Sequence, residues 1–155
     1  MSHQTQSFVV GDLVPDFRLC HTPSQTIHLY QIRARRIVIA FCPAVWEPTT
    51  RKQLVGYQQS LHLLYQRNAM LITISTDCVW CQMAFANYHQ IAYHLLSDGS
   101  PKGAVARSYG VYDEAHDTTR RALFLIQDRH IIWHTIVPYQ LNPGLDALLT
   151  ALDIT

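Results

Sequence analysis

Two hydrophobic patterns alternate along this chain and predict its secondary structure. Short, unbroken apolar runs rich in β-branched residues are typical of strands covered on both faces of a sheet, and they occur at Ile37–Phe41, Met70–Ile74 and Ala122–Ile126. Between the first two, apolar residues from Arg51 to Arg67 recur at helical spacing, which predicts an amphipathic helix. Further patterns predict helices at Val79–His89, Gly103–Tyr109 and Gly144–Leu152 and strands at His94–Leu96 and Ile131–Val137.

The segments before the first long strand predict an N-terminal β-hairpin. Phe17–Cys20 and Ile27–Tyr30 are extended segments on either side of the turn-like stretch Thr22–Gln25. The first eight residues are mostly polar, which predicts a loose tail. Strands that alternate with helices, followed by a hairpin and a last helix, predict an α/β fold with a central mixed sheet flanked by helices. Residues 1–155 contain no linker-like segment, so we expect a single domain.

Composition narrows the functional classes. The 155 residues are 48% hydrophobic and 15% charged, which suits one globular domain. The formal net charge is +1 and the charges are scattered, so there is no electrostatic basis for binding nucleic acid or an acidic membrane surface. The longest apolar run, Ile37–Trp46, contains a proline and is too short to span a bilayer. Four cysteines are too few for a disulfide scaffold, and the N-terminus lacks the features of a signal peptide, so we expect a cytoplasmic protein.

The stretch from Arg36 to Gln53 is the first candidate for chemistry. A buried strand there continues into a turn bounded by Pro43 and Pro48, and a helix follows. In α/β proteins, ligands gather outside the carboxyl ends of strands, where helix N-termini present unpaired N–H groups and a positive dipole. Such a position favours a reactive thiolate, but the sequence places Thr50 there.

Seven segments occur in an order and spacing that are similar to those of a known family. They are Val10–Phe17, Phe41–Ala44, Ile74–Asp77, Leu95–Asp98, Val105–Tyr112, Arg121–Ile126 and Asn142–Gly144. Together they resemble the peroxiredoxins of the alkyl hydroperoxide reductase and thiol-specific antioxidant family over nearly the whole chain. The resemblance implies a thioredoxin-like fold and an antioxidant, thiol-dependent oxidoreductase.

The family's reactive centre has the pattern P-x-x-x-T-x-x-C, and its cysteine attacks peroxide as a thiolate beside an arginine. The resemblance matches Pro43 to the proline and Arg121 to the arginine, but it puts Glu47 at the threonine position and Thr50 at the cysteine position. A threonine hydroxyl does not ionise near neutral pH without a dedicated base, and it cannot form a sulfenic acid. Glu47 adds a negative charge that we expect to pair with Arg121 and to weaken the field that would favour an anion.

The remaining thiols allow two interpretations. Cys78 and Cys81 form a C-x-x-C motif that follows a strand and opens a helix, the setting of redox pairs in thioredoxin-like proteins. The alternative is a structural pair of half-buried residues that pack Trp80. Cys42, at the end of the central strand, is either a thiol facing the pocket or a buried small residue, and Cys20 is interpreted as structural. We expect no metal and no cofactor, because one C-x-x-C without a second pair is poor evidence for zinc.

These residues favour two functional hypotheses. The first is a degenerate, non-catalytic family member that retains the fold for binding or pairing. The second is an active thiol–disulfide oxidoreductase or peroxide reductase that uses Cys78 and Cys81, or Cys42, with a thioredoxin-type protein as reductant. Family members commonly form dimers around the active-site turn, so the resemblance also predicts a homodimer with Trp46 near the interface.

Overall fold

The structure is a computed structural model that describes residues 7–155. Most of the tail predicted to be loose therefore lies outside the described residues. Its last residue, Phe8, is buried and lies 6.0 Å from Tyr109 between ring centroids, so it belongs to the core and not to the tail.

Strands and helices alternate along the described chain much as the hydrophobic pattern predicts. The strands are β1 Arg18–Thr22, β2 Gln25–His28, β3 Arg36–Phe41, β4 Ala69–Ser75, β5 His94–Ser97, β6 Tyr112–Asp113, β7 Thr118–Thr119, β8 Arg121–Gln127 and β9 His130–Val137. The helices are α1 Pro48–Gln59, α2 Leu61–Tyr65, α3 Val79–His89, α4 Ala104–Ser108 and α5 Asp146–Ile154, with a 3-10 turn at Leu29–Gln31.

Within residues 7–155, seven strands form one mixed sheet in the order β2-β1-β5-β4-β3-β8-β9. The β3, β4 and β5 strands are parallel, while β8 and β9 extend the sheet antiparallel on one side and the β1–β2 hairpin extends it on the other. The three strands predicted from unbroken apolar runs, now β3, β4 and β8, are inner strands, which confirms that prediction. The N-terminal hairpin is also confirmed, and Cys20 of β1 pairs with Ser97 of β5 to join it to the sheet.

Alternate residues of β3 enter two hydrophobic clusters on opposite faces of the sheet. Ile37, Ile39 and Phe41 belong to one cluster, and Val38 and Ala40 belong to the other. This double burial explains why the run is apolar at every position. The carboxyl ends of β3 and β4 lie next to each other, because the two strands are parallel neighbours in the sheet.

Three local features of the structure differ from what the sequence indicates. The helix predicted across Arg51–Arg67 is divided at Ser60, whose backbone (φ −113°, ψ 15°) is not helical. The last helix begins at Asp146 and not at Gly144, because Gly144 has a left-handed φ of 62° and its N–H donates to the Asn142 side chain at 3.0 Å. The β6–β7 hairpin was not predicted.

Candidate functional site

Two backbone N–H groups hold the loop between β3 and α1, one at its start and one in its middle. The Cys42 N–H donates to the carbonyl of Ile74 at 2.9 Å, and the Val45 N–H donates to Oδ2 of Asp77 at 2.9 Å. Ile74 belongs to the neighbouring strand β4, and Asp77 comes shortly after it. These hydrogen bonds therefore attach the β3–α1 turn to the β4–α3 turn. Pro43 lies half-buried in this loop.

Glu47 caps the N-terminus of α1. Its Oε1 accepts the Thr49 N–H and its Oε2 accepts the Thr50 N–H, both at 2.9 Å, while Pro48 at the first helical position has no N–H to satisfy. Burial alone would raise the pKa of the Glu47 carboxyl, but the hydrogen bonds from Thr49, Thr50 and Arg121 outweigh burial and lower the pKa below the ordinary 4.5. The carboxylate is therefore an anion held on the helix N-terminus, where the dipole favours negative charge.

Arg121, at the start of β8, is fully buried and contacts the Glu47 carboxylate that caps α1. A guanidinium has five N–H donors, and five donor–acceptor contacts of Arg121 are formed within the protein. They are Nη2 to Glu47 Oε2 at 3.2 Å, Nη1 to Thr50 Oγ1 at 3.0 Å, Nη1 to Gln53 Oε1 at 2.7 Å, and Nε and Nη2 to the Tyr139 carbonyl at 3.3 and 2.8 Å. The protein itself thus provides an acceptor for each donor of this cation.

Thr50 lies in the first turn of α1 and is fully buried. Its hydroxyl donates to Glu47 Oε2 at 3.1 Å and accepts from Arg121 at 3.0 Å, so it connects the carboxylate to the guanidinium. A carboxylate whose pKa is lowered is a poor base for a hydroxyl. The structure thus brings together Glu47, Thr50 and Arg121, as the resemblance implied, in a network of satisfied hydrogen bonds.

Two members of this network, Gln53 and Tyr139, were not predicted from the sequence. Gln53 is buried, accepts from Arg121, and donates from Nε2 to the Tyr57 hydroxyl at 2.8 Å. The sequence contained a signal for Gln53, which lies three positions after Thr50 and therefore on the same side of the predicted helix. Tyr139 contributes a main-chain carbonyl, for which the sequence has no signal. Its hydroxyl donates to Asp113 at 2.7 Å, so the hairpin missed in the sequence also supports the network.

Cys42 directly follows β3 and is buried, and its thiol is affected by the charges of Arg121 and Glu47. Burial raises its pKa from 9.0 to about 12, although the charge of Arg121 opposes that shift. The interpretation of Cys42 as a buried small residue agrees with its burial and unreactive protonation state. Cys20 is half-buried in β1.

The second strand-to-helix turn, between β4 and α3, has a different character. Cys78 is the N-cap of α3 and is exposed, and Cys81, in the first turn, is half-buried. Trp80 between them is 66% exposed, so the structural interpretation of a half-buried pair packing Trp80 is wrong for Trp80 and Cys78. Residues 7–155 contain no group of three metal-ligating side chains around these sulfurs or elsewhere. Between the same bounds, no helix has the length and hydrophobicity needed to cross a bilayer.

Comparison with known proteins agrees with the resemblance of the sequence to peroxiredoxins. The chain is 25% identical to a thioredoxin peroxidase of Echinococcus granulosus over 94% of its length and 80% of the relative's. It is also 25% identical to the peroxiredoxin Bcp of Escherichia coli, over 92% and 94% of the two chains.

Solved structures support the same assignment. The peroxidoxin BcpB of Mycobacterium tuberculosis superposes with a TM-score of 0.84 at 27% identity, over 94% of this chain and 96% of the other. The AhpC of Enterococcus faecalis, at 22% identity, has the same fold with a TM-score of 0.84 over 94% and 90% of the two chains. The predicted thioredoxin-like fold is confirmed. Residues 10–135 match the model of the AhpC/TSA family, and the chain is therefore a member of the peroxiredoxin family.

Proposed function

We propose that this peroxiredoxin-family protein does not reduce peroxides at its β3–α1 turn and is degenerate as a peroxidase. The observation that supports this most directly is the saturation of Arg121: each of its five N–H donors has an acceptor within the protein. No donor of this cation remains to hold a peroxide oxygen or to stabilise the oxygen that leaves.

The helix N-terminus is saturated in the same way. A thiolate in the first turn of α1 would depend on the positive end of the helix dipole and on free N–H groups. Glu47 accepts the N–H groups of both Thr49 and Thr50, so an anionic carboxylate already occupies that electrostatic position. Thr50 supplies a hydroxyl in place of a sulfur, which removes the nucleophile itself.

The proposed role of the retained fold is self-association. Trp46 is 42% exposed and Tyr88 is 75% exposed, and their rings lie 5.9 Å apart beside the β3–α1 turn. Trp46 also packs edge-on against the buried Phe85, so it both covers the core and presents an aromatic surface. Exposed aromatic residues supported by a rigid core are typical anchors of protein interfaces. We expect a homodimer formed around this surface.

Sedimentation of the wild-type protein at micromolar concentration tests the dimer. We expect a dimer for the wild type and a monomer for Trp46→Arg, which places a charge in the contact. Lys52→Glu, an exposed change on α1, is the matched control and should remain dimeric. A wild-type monomer would refute this proposal.

Peroxide consumption with a dithiol reductant tests the catalytic part. We expect the wild type to match the background rate and Thr50→Cys alone to restore little, because Glu47 still fills the anion position. The double variant Glu47→Thr with Thr50→Cys should reduce peroxide measurably, since Arg121 and the helix N-terminus become available to a thiolate. The variant Glu47→Thr with Thr50→Ser controls for packing without sulfur. Turnover by the wild type above background would overturn the proposal.

A further inference from the structure

The second strand-to-helix turn contains a pair of sulfurs that the proposed function does not use. Cys78 caps α3, and Cys81 follows in its first turn. We propose that Cys78 and Cys81 are a redox-active dithiol that undergoes exchange with low-molecular-weight disulfides, with Cys78 as the attacking sulfur and Cys81 as the resolving sulfur. The proposal is independent of chemistry at Thr50.

The backbone holds the two residues one helical turn apart. The Gln82 N–H donates to the Cys78 carbonyl at 3.1 Å, which closes the first turn of α3. Residues three apart on a helix have Cβ atoms about 5–6 Å apart, and a disulfide requires about 4 Å. Cys78 has extended backbone angles (φ −67°, ψ 158°) at the helix boundary, so a small rotation there can close the remaining gap without breaking the helix.

The two sulfurs differ in access. Cys78 is exposed and lines a surface pocket of about 360 Å³ together with Arg18, Cys20 and Thr76. A small disulfide can therefore approach Cys78 from solvent, and Arg18 supplies a positive charge at the pocket for the carboxylates of a peptidic thiol. Cys81 is half-buried and is not among the residues that line this pocket, so a small external molecule has less access to it.

The surroundings of Cys81 suit a resolving thiol. Its Sγ–H donates to Asp77 Oδ1 at 3.9 Å. Burial, followed by the negative charges of Asp77 and of an ionised Cys78, raises the pKa of Cys81 above its ordinary value. Cys81 therefore remains a protonated thiol while Cys78 reacts first.

The exchange balances in two steps. The Cys78 thiolate attacks one sulfur of an external disulfide, forms a mixed disulfide, and releases the other sulfur as a thiolate. Cys81 then gives up its proton, which the released thiolate can take, and its sulfur attacks Cys78 Sγ and expels the second external thiolate. One external disulfide is reduced to two thiols, and the protein dithiol is oxidised to the Cys78–Cys81 disulfide by the same two electrons.

Reduced protein treated with glutathione disulfide tests this assignment by intact mass and peptide mapping. We expect the wild type to lose two hydrogens through a Cys78–Cys81 bond without a lasting adduct. Cys81→Ser should accumulate one glutathione adduct at Cys78, and Cys78→Ser should react at least about tenfold more slowly. Cys20→Ser is the matched control from the same pocket and should behave as the wild type.

Three results would overturn the assignment. They are no oxidation of the wild type, a lasting adduct at Cys78 although Cys81 is present, and a disulfide that joins Cys20 to Cys78. Far-ultraviolet circular dichroism of each variant shows whether it is folded. If Cys78→Ser does not fold, the other two variants still decide. A glutathione adduct at Cys78 in folded Cys81→Ser, together with a Cys78–Cys81 bond in Cys20→Ser, supports the assignment, and the absence of either contradicts it.

Discussion

Two neighbouring strand-to-helix turns, β3–α1 and β4–α3, differ in the groups that lie at their helix N-termini. At the β3–α1 turn, the N–H groups of α1 and the buried Arg121 are satisfied by Glu47, Thr50 and other acceptors. At the β4–α3 turn, the N-cap is the exposed Cys78. A thioredoxin-like fold thus has more than one helix N-terminus at which a thiolate could lie, and the neighbouring groups decide which of them is available.

The largest expected contrast between the two turns is in thiol reactivity. A pKa raised from 9.0 to about 12 lowers the thiolate fraction of Cys42 at neutral pH by roughly a thousandfold, before its burial is considered. We expect iodoacetamide to alkylate the native protein first at Cys78, which is exposed, and last at Cys42, which is buried and has the raised pKa. Time-resolved peptide mass spectrometry measures the order.

Alkylation in urea serves as the control for that contrast. Unfolding should bring the rates of the four cysteines to within a few-fold of one another, because burial and neighbouring charges are lost. Rapid labelling of Cys42 in the folded protein would remove the proposed difference between the turns.

The second expected effect is on stability. Glu47→Ala leaves the buried charge of Arg121 without its carboxylate and removes the cap of α1. Loss of one partner from a buried ion pair costs about 3–5 kcal/mol, and since the Glu47 side chain is 38% exposed, we expect a loss of about 3 kcal/mol in the free energy of unfolding. Urea denaturation measures it. Lys52→Ala, an exposed change on the same helix, should stay within about 0.5 kcal/mol of the wild type.

The pH dependence of stability tests whether the charge of Glu47 stabilises the fold. The folded-state pKa of Glu47 lies below the ordinary 4.5, so its charge stabilises the fold fully above that value, and the contribution is lost as the pH falls through the folded pKa. We expect the stability difference between the wild type and Glu47→Gln to be constant near neutral pH and to shrink as the pH falls below 4.5 and through the lowered folded-state pKa. A difference that is the same at every pH would show that the charge of Glu47 does not contribute.

The smallest expected effect belongs to the second turn. The charge of Asp77 contributes, after burial, to the raised pKa of Cys81. Asp77→Asn retains a side-chain oxygen but removes that charge, so we expect the alkylation rate of Cys81 at fixed pH to rise by about two- to fivefold. Alkylation of Cys20 in the same sample is the internal control and should not change.

The hydrophobic pattern was sufficient for the sheet but not for the short elements around the site. The inner strands β3, β4 and β8 are each covered on two faces, and that burial requires a predominantly apolar run that is visible in the sequence. Strands β6 and β7 contain two residues each, too few for a period. The break at Ser60 was also missed, because the apolar stripe continues across it into α2.

In the candidate site, the side-chain contacts could be predicted from the sequence more readily than the main-chain contacts. The pairing of Glu47 with Arg121 could be expected because both side chains lie at positions matched to the family pattern. The Tyr139 carbonyl could not, since any residue supplies a carbonyl and only the path of the chain after β9 brings this one to Arg121. Cys78 is exposed and Cys42 is buried, and this difference in solvent exposure could not be predicted from the sequence alone.

The buried guanidinium of Arg121 has a consequence for how this sequence can change. Its donors are shared among Glu47, Thr50, Gln53 and Tyr139, so replacing one partner leaves a charge or a donor uncompensated at the others. Substitutions at these positions are therefore epistatic, and a single exchange that restores a cysteine is opposed by the carboxylate still present. We therefore expect that a reactive thiol at position 50 requires paired changes and that no single mutation installs one.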